Sequence, residues 1–282
     1  MHNKRWITAM LMIPILIGLS ACEQGISNVL SMKGTPVHVE RSLDAGNVSR
    51  ISIKTKSSNI QYKIGTSDQI KVRLKGTFDG SEGEQEQLLV TEVMNQDQLA
   101  IKVEPVKGKA YSNMSLSLEV EVPTKVYEEL KIKASSGNIT TGEIEAGQLS
   151  VEASSGNISV GGYVGKEYKV EASSGNIELG KMEGRGSVEA SSGNVDVAIA
   201  PFQESVRVHT SSGNATVRVQ PDAVFRIVGD TKLDRADLKI PLTLEHKEGK
   251  RNFEASVNQA TSESPVLDVT TSSGKMILEK IK

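Results

Sequence analysis

Apolar and polar residues alternate along most of the chain beyond about residue 45, as expected of strands that bury one face. Val151 and Ala153 are apolar, for example, whereas Glu152 and Ser154 are polar. Similar apolar alternation occurs at Ile51/Ile53, Ile60/Tyr62/Ile64, Ile70/Val72/Leu74, Leu99/Ile101/Val103 and Leu116/Leu118/Val120/Val122. The pattern predicts an all-β fold with little helix.

A short motif, Ala-Ser-Ser-Gly-Asn-Ile, recurs within this alternation. Its complete copies, some with Thr, Val or Ala at the ends, occupy residues 134–139, 153–158, 172–177, 190–195 and 210–215. Their glycines are 19, 19, 18 and 20 residues apart. In a shortened copy at 271–274 the glycine lies 61 residues beyond Gly213, which is close to three further periods. The stretch between these two copies is therefore expected to hold diverged coils. Residues 56–60 look like an early copy without glycine. Such periodicity predicts an array of similar units.

The Ser-Gly-Asn segment is interpreted as a tight corner between two strands. Glycine has no Cβ and asparagine tolerates the left-handed region, so both suit a backbone with positive φ. The predicted corner residues are Gly137, Asn138, Gly156, Asn157, Gly175, Asn176, Gly193, Asn194, Gly213, Asn214 and Gly274. Each repeat then consists of a strand, a corner, a second strand and a looser return.

Two architectures fit such a repeat. In a parallel β-solenoid (β-helix) each repeat of about 19 residues is one coil, and equivalent residues stack about 4.8 Å apart. In an antiparallel meander each Ser-Gly pair is a hairpin loop. We favour the solenoid, with less regular β-rich ends, because identical residues gain most when they stack on themselves.

The chain divides into five predicted segments. They are a signal peptide (1–21), a tether (22–36), an N-terminal β-rich part (37–130), regular repeats (131–220) and irregular C-terminal coils with a cap (221–282). Residues 37–130 form either a separate sandwich or the first coils of the same stack. The pattern does not distinguish these alternatives.

The N-terminus has the features of a bacterial lipoprotein signal. Lys4 and Arg5 precede an uncharged apolar stretch from Trp6 to Gly18, and Leu-Ser-Ala-Cys ends at Cys22, the only cysteine. A basic start, a short apolar region and small residues before the cleavage site are typical of export signals. We expect Cys22 to carry the lipid, which places the protein on the extracytoplasmic side of the cell membrane. Because one acyl chain anchors weakly, several are needed.

The charge of the chain argues against a nucleic-acid partner. The formal net charge is −2, and removal of Lys4 and Arg5 takes it to 31 − 35 = −4. Nucleic-acid binders need a basic face to neutralise phosphates, and the sequence shows none. The expected partners are the membrane, through the lipid, and an envelope polymer or a membrane protein.

Stacked coils place polar residues in two outward columns. The first contains Lys133, Glu152, Glu171, Glu189 and His209, and the second Thr140, Ser159, Glu178, Asp196 and Thr216. Glu152, Glu171 and Glu189 are the only candidates for a weak divalent-cation site, since carboxylates on adjacent coils can share Ca²⁺. The simpler interpretation is a solvated charged stripe that resists edge pairing.

The sequence shows no catalytic motif, and no cofactor is expected. It contains neither a Gly-x-Ser-x-Gly elbow nor a His-Glu-x-x-His or Walker motif. Tyr163, Tyr168 and Phe202, the aromatic residues among the regular repeats, lie in the returns between coils. They are expected to fill the core, although returns are also where ligand-binding residues occur.

The Cys22 signal, the strands leading to Pro123 and the serial Ser-Ser-Gly-Asn copies together resemble the bacterial putative-adhesin family, a domain of unknown function in cell-envelope proteins. The resemblance covers roughly residues 45–282. It implies a β-helical fold, an envelope location and a link to cell-wall stress, and it brings no catalytic residues. Lys275 departs from the pattern, because the complete copies have asparagine there.

We therefore expect a non-enzymatic, lipid-anchored envelope protein that acts as an adhesin or interaction scaffold. One alternative is an envelope-stress accessory that binds a membrane regulator or a wall polymer. A polysaccharide-active β-helix enzyme is the other alternative, because parallel β-helices include lyases and hydrolases.

Overall fold

The computed structural model describes residues 34–231, 235–248 and 251–281. Strands make up most of this part of the chain, which confirms the predicted all-β fold. The strands are β1 (Thr35–Asp44), β2 (Arg50–Thr55), β3 (Asn59–Ile64), β4 (Gln69–Phe78), β5 (Leu89–Met94), β6 (Gln98–Val103), β7 (Met114–Val122), β8 (Tyr127–Ala134), β9 (Ile139–Ala153), β10 (Ile158–Ala172), β11 (Ile177–Ala190), β12 (Val195–Ile199), β13 (Val206–Thr210), β14 (Ala215–Val219), β15 (Phe225–Asp230), β16 (Ala236–Leu238), β17 (Thr243–Glu248), β18 (Asn252–Val257), β19 (Val266–Thr271) and β20 (Met276–Lys280). A 3₁₀ turn (Glu82–Glu84) and a short helix α1 (Gln85–Leu88) lie between β4 and β5.

The regular repeats stack on one another in parallel. Ile158, just after its corner, lies opposite Ile139 of the preceding repeat and Ile177 of the following one. Val170, just before the next corner, lies opposite Val151 and Val188 in the same way. The antiparallel meander is therefore excluded for these repeats.

Each repeat contributes one strand segment to each of two layers, and the corner connects them. The first layer holds the segments that lead into the corners, in the order β5, β6, β2, β8, the later parts of β9, β10 and β11, then β13, β19, β15, β18 and β17. The second layer holds the segments that leave the corners, in the order β1, β4, β7, β3, the early parts of β9, β10 and β11, then β12, β14, β20 and β16. The inward residues of both layers join one hydrophobic core.

The ends of both layers differ from the parallel centre. β5 pairs with β6, and β1 with β4, in antiparallel fashion at the N-terminal end. β15, β18 and β17 are antiparallel at the C-terminal end. The sheet as a whole is therefore mixed, whereas the sequence predicted parallel coils with irregular ends.

The first and last coils are not placed as the spacing predicted. β2 and β3 pair directly with β8 and β9, although long insertions separate them in sequence. Likewise β19 and β20 pair directly with β13 and β14. The copies at 210–215 and 271–274 are therefore direct neighbours, and the predicted diverged coils do not lie between them in the stack. The intervening chain instead places β15 and β16 on the far side of β19 and β20.

The pairings of β2 and β3 distinguish the two alternatives for residues 37–130, a separate sandwich or the first coils of the stack. β2 and β3 extend both layers of the regular repeats without interruption. These residues continue the stack and do not form a separate sandwich.

The corner glycines are needed for a reason other than the predicted one. Gly137, Gly156, Gly175, Gly193, Gly213 and Gly274 are absent from the positive-φ residues of the described chain. A Cβ on Gly156 would instead collide with the carbonyl oxygen of Gly137, and each later glycine stands in the same relation to the one before it. Glycine thus allows the coils to approach closely, and the left-handed region has no part in it.

A ladder of asparagine side chains runs beside the glycines. The backbone N–H of Asn157 donates to Oδ1 of Asn138 at 2.9 Å, and that of Asn176 donates to Oδ1 of Asn157 at 2.9 Å. The ladder begins at Asn59, continues through Asn194 and Asn214, and ends where the N–H of Lys275 donates to Oδ1 of Asn214. Lys275 donates the last hydrogen bond of the ladder through its backbone N–H and needs no side-chain amide to do so, which explains why the final copy can lack asparagine.

We predict that Gly156→Ala strongly destabilises the fold. The new methyl group collides with backbone that is itself hydrogen-bonded, so the coils must separate locally, at a cost of about 2–4 kcal/mol. Gly142→Ala is the matched control, because a Cβ there meets nothing within 4 Å. Urea unfolding followed by circular dichroism measures both. Equal midpoints for the two variants would contradict the close-stacking explanation.

Candidate functional site

The outward side chains of the first layer form three straight columns, which we call the outer face. The corner-side column is Lys102, Lys54, Lys133, Glu152, Glu171, Glu189, His209 and Thr270. The middle column is Glu92, Ala100, Ser52, Lys131, Ser150, Lys169, Ser187, Arg207 and Asp268. The return-side column is Gln98, Arg50, Glu129, Gln148, Glu167 and Arg185.

The first predicted column is brought together in the order that the repeat implied. The structure adds Lys54 and Lys102 at its N-terminal end. Lys54 could have been found from the sequence, since the early copy at 56–60 places it where Lys133 stands in the next coil. Nothing in the repeat pattern pointed to Lys102, because β6 lies in an insertion.

Ion pairs cross-link parts of the outer face. Lys133 pairs with Glu152 of the next coil, and Lys169 Nζ lies 2.8 Å from a carboxylate oxygen of Glu171. The hydrogen bond to Glu171 raises the pKa of Lys169, because it favours the charged form of this amine. All four side chains are substantially exposed, so each pair adds little to stability.

The three glutamates of the column do not form a metal centre. In the described ranges no three His, Cys, Asp or Glu side chains are placed to hold a metal ion together. The described geometry therefore gives no support to the suggested cation site at Glu152, Glu171 and Glu189. Their side chains follow the outer surface of successive strands and do not converge on one point.

A groove of about 470 Å³ runs along the corner-side column. Charged side chains of the column form one wall, and corner serines such as Ser154 and Ser173 line the other. It is open to solvent along its length, so it suits an extended surface contact better than an enclosed small molecule.

The second predicted column lies on the second layer. Thr140, Ser159, Glu178, Asp196 and Thr216 are in register on five successive strands. Beside it, Arg218 makes a two-pronged contact with Asp196, and its Nε donates to Glu279 at 2.9 Å. Lys239 Nζ donates to the same carboxylate at 3.2 Å. Hydrogen bonds from Lys239 and Arg218 lower the pKa of Glu279.

The aromatic residues of the returns fill the core, as the sequence predicted. Tyr163 and Tyr168 are each 1% exposed and pack edge to face with ring centroids 5.7 Å apart. Burial raises the pKa of Tyr163 to about 12, and its hydroxyl lies 2.8 Å from the carbonyl of Glu167. Phe202 stacks on Phe225. These rings offer no exposed surface for stacking on a sugar.

Cys22 and the signal that surrounds it lie outside the described residues. Within the described ranges, none of the helical segments has the length and apolar character needed to cross a membrane.

Comparison with protein families identifies this architecture. The Toastrack DUF4097 model matches residues 48–179 and again residues 126–279. The chain belongs to this family. The two matches overlap over residues 126–179. Among curated proteins, none is significantly similar to this chain.

Several solved structures resemble this chain distantly. A putative adhesin from Bacteroides fragilis is 13% identical, with a TM-score of 0.45, over 86% of this chain and 97% of that one. A putative adhesin from Parabacteroides merdae is 13% identical, with a TM-score of 0.44, over 88% and 98%. A putative lipid binding protein from Parabacteroides distasonis is 14% identical, with a TM-score of 0.42, over 88% and 98%. At these values the similarities assign no function.

We predict that Glu279→Gln flattens the acid limb of the stability profile. The pKa of Glu279 is lower in the folded protein than in the unfolded chain, where it is about 4.3. The contribution of Glu279 to the free energy of unfolding is therefore complete above the unfolded pKa, and it is lost as the pH falls through the lower, folded pKa. Urea midpoints measured from pH 6 to pH 2.5 should fall less for Glu279→Gln than for wild type.

The matched control for this profile is Glu178→Gln. Glu178 is exposed on the same layer and forms no ion pair with the residues that the structure describes. Its profile should follow that of wild type. Identical profiles for wild type and Glu279→Gln would show that the contact with Lys239 and Arg218 is not maintained in solution.

Proposed function

We propose that this protein is a lipid-anchored, non-enzymatic scaffold of the cell envelope, which binds other envelope components through its outer face. The outer face carries this proposal. Charged and hydroxyl side chains stand in three columns across successive strands, and they are held in register by the stacked coils beneath them. A long, flat and polar surface of this kind suits contact with a macromolecule.

The central coils support a rigid presentation of this surface. We propose that they act as a β-solenoid, with the antiparallel strands serving as caps. Every coil is bonded to its neighbours through both layers and through the corner, where the N–H of Ser155 donates to the Ser135 carbonyl at 2.9 Å and that of Ser174 to Ser154 at 2.9 Å. Side chains on such a framework keep their spacing, so little ordering cost remains when a partner binds.

The arrangement of charges favours binding over catalysis. Glu152 and Glu171 are each paired with a lysine. The buried tyrosines cannot reach the surface to hold a sugar. A polysaccharide-active enzyme would need a carboxyl group in an apolar pocket to act as an acid.

The proposed location depends on Cys22, and we predict that Cys22→Ser releases the protein from the membrane. The hydroxyl group of serine cannot take the thioether-linked lipid that is expected on Cys22. Fractionation of cells should show wild type in the membrane fraction and most of the variant in the soluble fraction. Metabolic labelling with a radioactive fatty acid should mark only wild type. Continued membrane retention of unlabelled Cys22→Ser would contradict the lipid anchor.

The proposed role of the outer face is tested with Glu152→Ala, Glu171→Ala and Glu189→Ala combined. We predict about a tenfold loss of binding to isolated cell envelopes, because three charges vanish from one column. The control combines Glu143→Ala, Glu145→Ala and Glu178→Ala, which removes three exposed glutamates from elsewhere. Release of soluble sugar by wild type, lost only in the first variant, would instead indicate an enzyme. Equal binding by both variants would contradict a role for this column.

A further inference from the structure

The corner-side column of the outer face changes sign in the middle. Six successive strands carry what we call the charge stripe, which is Lys102, Lys54, Lys133, Glu152, Glu171 and Glu189. Three lysines are followed by three glutamates at the inter-strand spacing of about 4.8 Å. The reversal falls between β8 and β9, at the first of the regular repeats.

In the part of the chain that the structure describes, half of the charged residues of the stripe form no ion pair, whereas Glu171 pairs with Lys169 of its own strand. Among the described residues, neither Lys54 nor Lys102 takes part in an ion pair, and Glu189 is bonded only through the hydroxyl of Ser187 at 3.3 Å. Lys133 and Glu152 pair with each other at the point where the sign changes. The stripe therefore has one positive half and one negative half.

Such a stripe is complementary to itself when it is reversed. We propose that the outer face binds the outer face of a second copy of this chain, with the two stacks antiparallel and related by a two-fold axis between β8 and β9. This inference rests on the proposed scaffold function and names its partner. A two-fold contact uses the same surface on both copies, as most protein pairs do.

The two-fold axis fixes which residues meet. Lys133 of one copy lies opposite Glu152 of the other, Lys54 opposite Glu171, and Lys102 opposite Glu189. The axis generates each of these oppositions twice, so all six positions of the stripe face an opposite charge. A shift by one strand in either direction brings like charges together, so the register is specified by repulsion as well as attraction.

The two other columns agree with the same axis. In the return-side column Arg50 lies opposite Glu167. In the middle column Glu92 lies opposite Arg207, and the remaining lysines lie opposite serines. No like charges meet across the eight strands from β5 to β13. Different residues form the three columns, so the agreement of all three with one axis is the strongest support for the proposal.

The second layer provides an internal contrast. Its predicted column has Glu178 and Asp196 between hydroxyl residues and no basic half. Reversal of that column would bring acidic and neutral residues together without compensation. This second-layer column therefore lacks the self-complementary pattern of the charge stripe.

The size of this contact indicates weak association. Eight strands about 4.8 Å apart and about five residues wide cover roughly 650 Å² on each copy. The total of roughly 1,300 Å² lies at the lower end of specific interfaces. Many lipid-anchored copies on facing membranes would add their contacts, and a weak pair can then hold two surfaces together.

Vesicle clustering tests the proposal directly. The full-length protein is inserted into phosphatidylcholine vesicles, flotation measures attachment, and light scattering measures clustering. Wild-type vesicles should cluster at about 0.02 M salt and separate at 1 M salt, where the Debye length is about 3 Å. Attachment without clustering would overturn the self-association proposal and leave the lipid anchor intact.

Charge reversal tests the register. Variant A carries Lys54→Glu and Lys133→Glu, and variant B carries Glu152→Lys and Glu171→Lys. Each alone places like charges opposite each other at four of six positions, so clustering should fall at least about tenfold. A mixture of A vesicles with B vesicles restores opposite charges at all six positions and should cluster at least as well as wild type.

The matched control carries Lys107→Glu and Lys181→Glu. It makes the same change in net charge as variant A, at exposed lysines outside the outer face, and its clustering should remain within about twofold of wild type. Recovery in the A and B mixture also shows that both variants are folded. Clustering by A alone or by B alone, or no recovery in the mixture, would overturn the proposed contact.

Discussion

The close approach of backbone at the corners is the constraint on which the rest of this structure depends. Because each corner glycine lacks a Cβ, its coil lies against the carbonyl of the glycine in the coil before it. At that distance the serine N–H groups and the asparagine Oδ1 atoms reach the neighbouring coil. One small residue per repeat thus permits, at the corner, the strand spacing that the hydrogen bonds of both layers require.

The fixed stacking distance is also what gives the surface its order. Since no coil can slip without breaking the corner, every outward residue stays opposite its counterpart in the next coil. Single polar residues in the sequence therefore become columns, and the order of charge along a column becomes a property of the whole molecule. The proposed scaffold role and the proposed self-association both use this property, which no isolated repeat possesses.

A stack of this kind must also protect its ends, because open strands pair with other chains. At both ends of the stack the last strands pair in antiparallel fashion, and these are the strands that we propose as caps. On β1 the edge is partly covered by the neighbouring helical segment, since the His38 N–H donates to Gln85 Oε1 at 3.1 Å and Arg41 pairs with Glu86 at 2.6 Å. The contact that we propose joins two outer faces and does not involve the strand edges.

The sequence alone determined the all-β fold, the coil length and the two predicted columns. The alternation of apolar and polar residues and the length of the repeat can both be read from neighbouring residues, and they are sufficient for these three features. The sequence also supplied Cys22, which the described structure does not reach. The tertiary structure decided where β2, β3, β19 and β20 lie, because insertions hide which coils are neighbours. It also changed the role of the corner glycines from conformational freedom to close contact, and it placed Lys102 beside Lys54. Contacts between distant segments depend on how the whole chain packs, and the periodicity of the sequence does not predict them.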